Sequence, residues 1–460
     1  MRKNKWIGLV MCCLATMLNV LAQPGPNTMS ESWKGSLHVP TGDLEVILHF
    51  KQTDAGTAAS LDVPVQHAKG IKASFTRLEK DSVLIEFQLL MARYRGIYKR
   101  DSAILIGEWE QNGFFMPLKL IPTGTQAEVK RPQDPVKPYP YNEEEVTFEN
   151  VKEGVHLAGT LTWPKGKSAC PAVILITGSG SQNRDEELMG HRPFLVLADA
   201  LTRRGIAVLR YDDRGVGKST GNPSLATTDD FSNDAEAAFT YLKTRKEVDP
   251  KKIGFAGHSE GGEIAPMVAS RHKDVGFIIL LAGPGLKGSE LLVLQARALS
   301  LAAGMSETEV KEKEKINKKI YDLASRNLPG AADSIVAILE AVGMPTDVAR
   351  IETRKSLSPW LRYFLNADPA VFLSKTTCPV FALNGKKDLQ VPYKENTERI
   401  ESALKKGKNK QVTIKVYDDL NHLFQHCRTG MPTEYETIEE SMSPEVLTDI
   451  GNWILKINAL

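Results

Sequence analysis

Cysteine is scarce in this sequence, with five in 460 residues. Cys12 and Cys13 fall in an N-terminal apolar segment, which leaves Cys170, Cys378 and Cys427 scattered through the rest. Three distant thiols, an odd number, do not make a disulfide framework. None is spaced like a zinc ligand set. An excess of charge is missing too: 58 Lys and Arg stand against 56 Asp and Glu. The net charge of +2 gives no sign of a nucleic-acid partner. Hydrophobic residues make up 42% and charged residues 25%, so the chain belongs to the ordinary soluble globular class. Its length suits two domains better than one.

The N-terminus reads as an export signal over residues 1–22. Arg2, Lys3 and Lys5 form a basic start, and Trp6 to Val20 an apolar centre. Val20-Leu21-Ala22 places small residues around a cleavage point after Ala22. The apolar run is shorter than the ~20 residues a spanning helix needs. The expectation is a periplasmic or secreted protein with no stable membrane insertion once the signal is removed. Cys12 and Cys13 lie inside the apolar run with no small residues just before them, which argues against a lipid-anchored form.

Residues 23–121 read as a small all-β domain. Leu44 to Phe50, Ser82 to Phe87 and Ala103 to Trp109 are strand-like. Turn residues divide them, as at Pro40-Thr41-Gly42-Asp43 and Asn112-Gly113. The spacing predicts an antiparallel barrel or sandwich. Trp33, Tyr94, Tyr98 and Trp109 are either core or a stacking platform for a ligand; core is the commoner fate. Residues 122–141 hold five prolines and read as an extended, solvated linker.

From 142 to 460 apolar strands alternate with helices. Near-continuous apolar runs such as Ala172 to Ile176, Ile206 to Leu209 and Gly276 to Leu281 predict a mostly parallel sheet buried on both faces. The alternation breaks at about 285–375, where four helical patterns follow one another. An insertion on the side where catalytic loops emerge is placed to be a cap. Trp360, Arg362, Tyr363 and Phe364 near its end either line a pocket or pack the cap.

Gly257-His258-Ser259-Glu260-Gly261-Gly262 carries the chemistry. The β-rich run Lys252 to Ala256 precedes it and a helical run from Glu263 follows. A strand, a G-x-S-x-G turn and a helix together present a serine clear of the backbone. A serine hydroxyl needs a base, and the base needs an orienting carboxylate. In this topology the order along the chain is serine, acid, histidine. Asp388 follows the strand ending at Leu383. His422 follows the last strand and precedes the last helix. Asp418 and Asp419 are rival acids too close in sequence to His422; His258 and His426 are rival bases in poorer positions. Two backbone donors must hold the oxyanion. Glu260 N–H supplies one, and Ser179 N–H, in the turn Thr177-Gly178-Ser179-Gly180, the other. That turn is no dinucleotide fingerprint, because Asn183 stands where a third glycine belongs. Arg214 to Ser219 is no phosphate loop, since Asp212 replaces the required glycine. Asp213 and Arg214 are expected to hold the loop beside the elbow, and the polar loop 181–193 to contact substrate or to order the mouth of the site.

The stretches Ile176 to Gly180, Arg210 to Ser219 and Gly257 to Gly262 resemble the α/β-hydrolase superfamily, and within it a bacterial carboxylesterase group. Some members carry a β-rich N-terminal module. The resemblance covers about 145–460 well and the N-terminal region in outline. It implies an α/β fold, a mostly parallel sheet with a helical cap insertion after a small all-β domain. It also implies serine ester hydrolysis through an acyl-enzyme with Ser259, Asp388 and His422, without cofactor or metal. The partner implied is a small-molecule ester. Thr177-Gly178 stands where the family has His-Gly before the oxyanion turn. A serine peptidase of the aminopeptidase or prolyl type and a non-catalytic binding protein are the alternatives.

Overall fold

Two kinds of strand occur in the chain, and each builds its own sheet. A computed structural model describes residues 31–459, apart from 40–41, 54–55, 65–67, 80, 100–103, 112–113, 124–129, 168 and 327. The expected export signal over 1–22 lies outside the described residues. The chain divides into two compact units, which meet in sequence between Glu128 and Val129.

In the first unit the strands alternate. β1 (Glu31–Val39), β2 (Gly42–Thr53), β3 (Gly56–Val63), β4 (Ala68–Lys72) and β5 (Phe75–Glu79) come first. β6 (Ser82–Phe87), β7 (Ala92–Lys99), β8 (Ile104–Gln111) and β9 (Phe114–Thr123) complete the unit. They form one antiparallel sheet in the order β4-β3-β2-β1-β9-β8-β7-β6-β5. β6 shows the cause: Val83, Ile85 and Phe87 are buried while their neighbours are not. A period of two puts every apolar side chain on one face. The sheet therefore closes over its own apolar face, where Leu48, Leu61, Ile85, Tyr94, Trp109 and Leu120 share one core. Trp33, Tyr94 and Trp109 are buried there, and Tyr98 packs edge-on against Trp33, so these rings are core and not an open platform. A polar row crosses the first three strands. Ser32 Oγ lies 2.7 Å from His49 Nδ1, and His49 Nε2 lies 2.8 Å from Asp62 Oδ2.

In the second unit the central strands are apolar on both faces. β10 (Asn142–Asn150) and β11 (Val155–Trp163) form an antiparallel edge. β12 (Cys170–Ile176), β13 (Ala207–Tyr211), β14 (Val248–His258), β15 (Phe277–Leu281), β16 (Val380–Gly385) and β17 (Val412–Tyr417) are parallel. The order is β10-β11-β13-β12-β14-β15-β16-β17. All five residues of β13 and all five of β15 are buried. Both faces must then be covered, and two cores result. One packs Ile174, Leu209, Phe255 and Leu280 under α2 (Thr228–Leu242), α3 (Gly261–Arg271) and α10 (Tyr393–Lys406). The other packs Val173, Val208, Ile279 and Leu383 under α1 (Pro193–Arg203) and α11 (Pro444–Asn458). Each fully buried Leu, Ile or Phe contributes roughly 1.5–3 kcal/mol.

Between β15 and β16 stand six helices. These are α4 (Gly288–Ala302), α5 (Glu307–Arg326), α6 (Ala331–Ala341), α7 (Thr346–Ser356), α8 (Pro359–Asn366) and α9 (Pro369–Leu373). α5 buries Val310, Lys313, Asn317, Ile320, Tyr321 and Ala324, a stripe at helical spacing, so most of its Lys/Glu residues face solvent.

One expectation changes. The stretch 122–141 is not free, solvated chain. β9 runs on to Thr123, and the residues after 129 lie along the second unit. Arg131 donates to the carbonyls of Gly190, Met189, Ile438 and Glu436. Tyr141 is buried and donates to Asp199 at 2.9 Å. Prolines keep this backbone extended, and its polar side chains find fixed acceptors that water would otherwise supply.

Candidate active site

Strand order places the site. From β12 the chain crosses to β13 on one side and then to β14 on the other. A crevice opens at the carboxyl ends of strands where the order reverses in this way. Ile176 and Gly257 are register partners, so the turn after β12 and the elbow after β14 lie side by side. β16 and β17, at the far end, deliver Asp388 and His422 to the same edge.

The elbow is strained. Ser259 has φ +53°, in the left-handed region that non-glycine residues avoid. Its N–H is held by Leu281 O at 2.9 Å. The flanking glycines are required by space: a Cβ on Gly257 would lie 1.9 Å from Gly261 O, and one on Gly261 2.2 Å from Ile176 O. α3 starts directly afterwards, with Glu260 at its N-cap.

Asp388 and His422 are joined. His422 Nδ1 lies 2.8 Å from Asp388 Oδ2, and both side chains are almost fully buried. Asp388 Oδ1 accepts from the N–H groups of Gln390 and Val391, each at 2.8 Å. One carboxylate oxygen is thus fixed by backbone while the other faces the ring. That contact leaves Nε2 as the ring nitrogen available to a reacting group. His422 and Ser259 are linked through the residue before the serine: the His258 and His422 rings stand 4.7 Å apart, and His258 Nε2 lies 2.9 Å from the His422 carbonyl oxygen. Among the described residues no hydrogen bond joins Ser259 Oγ to the His422 ring. Such contacts are often loose before substrate arrives.

Beside the elbow, Gly178 N–H is already committed to Glu186 Oε1 at 2.8 Å. The backbone N–H groups of Ser179 and Glu260 make no hydrogen bond among the described residues. A narrow cavity of about 10 Å³, lined by Thr177, Gly178, Gly180, Tyr211 and Glu260 among others, adjoins them. That is room for about one water molecule. The Glu260 carboxyl is buried and takes donors from three elements: Thr228 Oγ1 at 2.7 Å, Trp360 Nε1 at 2.8 Å, and the Ser179 side chain. Burial raises its pKa, and these donors only partly oppose the rise. Among the described residues no group of His, Cys, Asp and Glu is arranged to hold a metal.

A family model described as serine aminopeptidase, S33, matches residues 192–339. Esterase EstD of Thermotoga maritima is 29% identical over 340 residues, which cover 72% of this chain and 72% of that protein. The thiohydrolase apmlB of Arthrinium phaeospermum is 31% identical over 177 residues, 37% of this chain and 53% of that one. The solved structure of the Pyrococcus furiosus esterase Pf2001 covers 72% of this chain and 99% of its own, at 18% identity and a TM-score of 0.43.

The second unit has the α/β-hydrolase fold, and the chain is similar in sequence to an esterase.

The residues around the elbow hold the rest of the candidate site in place. Asp213 accepts from Thr177 Oγ1 at 2.8 Å and from Gln182 N–H at 2.9 Å, so it holds the turn after β12. Burial pushes its carboxyl well above the usual carboxylate range. Arg214 points elsewhere, to Asp234 on α2 and to Glu153. The loop 181–193 orders the mouth of the site: Arg184 pairs with Asp212 and Glu145, Asp185 with Arg210, and Glu186 with His258. The rival acids are turned outward, Asp418 to Lys386 and Asp419 to Lys387. His426 is exposed and pairs with Glu440. Two features had no signal in the sequence. Glu186 meets His258 across 72 residues, and Trp360 reaches Glu260 across 100.

Proposed function

We propose that this protein is a secreted serine carboxylesterase working through an acyl-enzyme. The observation that carries the reading is the buried Asp388–His422 pair standing beside a serine held on a strained elbow. Ser259 Oγ attacks the ester carbonyl carbon as its proton passes to His422 Nε2. The oxyanion is taken by the uncommitted N–H groups of Glu260 and Ser179. When the tetrahedral species collapses, the C–O bond to the alcohol breaks and His422 returns the proton to the departing oxygen. Water then attacks the acyl-enzyme with the same base, releasing the carboxylic acid and restoring Ser259. Asp388 holds the ring with Nδ1–H inward and stabilises the imidazolium without taking its proton. No cofactor enters any step.

Residues 1–22 direct export and are removed after Ala22; the mass of the mature N-terminus tests this. Turnover of p-nitrophenyl acetate tests the chemistry. Ser259→Ala should lose activity by several orders of magnitude, on the scale of about 10⁶ for such nucleophiles. Unchanged turnover in that variant would remove the reading. The S33 family match favours a second reading, a serine aminopeptidase on the same three residues. Faster cleavage of aminoacyl p-nitroanilides than of the ester would select it.

A further inference from the structure

His258 is the residue before the proposed nucleophile, and the mechanism above makes no use of it. Its side chain is 8% exposed and that of its partner Glu186 4%. Nδ1 lies 2.8 Å from Glu186 Oε1, and Nε2 lies 2.9 Å from the carbonyl oxygen of His422. A carbonyl oxygen only accepts, so Nε2 must carry a hydrogen. Glu186 Oε1 also accepts the N–H of Gly178 at 2.8 Å, so a second N–H from Nδ1 completes the acceptor role of a carboxylate oxygen there. A neutral imidazole has one N–H and would turn a lone pair against one of these oxygens. Glu186 itself has φ +52°, a backbone strain held where the structure needs the side chain in one place.

We propose that His258 is held as a doubly protonated imidazolium between Glu186 and the His422 carbonyl, and that this clamp positions His422 against Ser259. The positioning half rests on the reading of His422 as the general base. Three segments meet in the clamp: the turn after β12 through Gly178, the elbow through His258, and the loop after β17 through the His422 backbone. None of them is sequence-adjacent to another, so nothing in the chain itself fixes their spacing. An ion pair buried this deeply is retained only when both charges stay hydrogen-bonded, and each bond here does that. The ionisable groups facing His258 are Glu186, His422 and Asp388. Burial pushes its proton off, while Glu186, the His422 carbonyl and Asp388 more than reverse that, so the ring titrates above the ordinary histidine range.

Two measurements decide the matter. In full-length protein labelled with ¹⁵N-histidine, one ring should show both nitrogens protonated at pH 7.5, and that signal should vanish in His258→Gln. A neutral tautomer assigned to His258 at that pH overturns the protonation state, whatever reaction the protein catalyses. In Glu186→Gln the charge is lost while an oxygen remains for Gly178 N–H. We expect kcat for p-nitrophenyl acetate to fall about 10- to 100-fold, on the scale of misplaced catalytic groups, with KM within about twofold and an unchanged circular dichroism spectrum. A folded Glu186→Gln enzyme with the kcat of the parent overturns the positioning role. Should Ser259→Ala remain active, the esterase reading fails instead, and the protonation result stands on its own.

Discussion

Glu263 sits in the first turn of α3, directly behind the elbow, and is 1% exposed. Its Oε1 has no hydrogen-bond partner among the described residues. Burial first, then the nearby Glu260 and Asp368, raise its pKa from 4.5 to about 8. A helix N-terminus favours a negative charge, by about 0.3–1 kcal/mol, and that is too little to offset burial. Glu263 is therefore protonated in the folded protein at neutral pH and ionised in the unfolded chain. The sign follows from proton binding. Below pH 4.5 both states hold the proton and nothing is lost. Between 4.5 and about 8 the unfolded state releases it and the folded state does not, so stability falls as pH rises. Each pH unit in that window removes about 1.4 kcal/mol. The loss is thus about 1 kcal/mol at pH 5 and about 3 kcal/mol at pH 7. Glu263→Gln keeps the shape of the neutral acid and cannot ionise. Its urea midpoint should overtake that of the parent as pH rises from 5 to 7.5. Any fixed cost of the amide shifts both ends equally, so only the slope matters. Parallel pH curves for parent and variant would refute the argument, because they would mean that Glu263 ionises alike in both states.

Four further outcomes follow from the same geometry. Asp388→Asn should lower kcat by about 10³- to 10⁴-fold with little change in KM in steady-state assays, since the amide favours the wrong ring tautomer of His422. A fluorophosphonate probe should label Ser259 and leave Ser32 unlabelled by peptide mass mapping; Ser32 has a histidine and an aspartate in line, yet it lies on an extended strand with no elbow. Burial holds His191 down to about 4, between Ser441 and the Tyr435 carbonyl, so the unfolded chain takes up the proton first and stability should drop as pH falls from 6.5 towards 4. Comparing the pH dependence of the urea midpoint with that of His191→Gln isolates this effect, and parallel curves over that range would count against a buried neutral ring. Trp360→Ala removes the cap's donor to the buried Glu260 carboxyl beside the elbow, so kcat for p-nitrophenyl acetate should fall several-fold in steady-state assays while the circular dichroism spectrum stays that of the parent.

Local chemistry made much of this protein legible before any coordinates. Near-continuous apolar runs marked the parallel strands because a strand buried on both faces has no polar side to show. Alternation in Ser82 to Phe87 marked a one-faced sheet for the same reason in reverse. The glycines around Ser259 announced the elbow because a Cβ at Gly257 or Gly261 would strike backbone. The order serine, acid, histidine, each just past a strand end, followed from how parallel sheets are wound. Proline content misled over 122–141, because an extended backbone is as ready to dock as to float.

Tertiary structure decided what sequence spacing cannot carry. Only packing brings Glu186 to His258, Trp360 to Glu260 and Arg131 to the carbonyls of Met189 and Ile438. Each of these contacts joins segments far apart in the chain, whose approach is set by sheet register and by which groups remain unsatisfied once the strands are paired. Whether a histidine is neutral, as His191 is, or holds two protons, as we propose for His258, is not written in its neighbours along the chain. It depends on which atoms face its two nitrogens after folding, and that arrangement exists only in three dimensions.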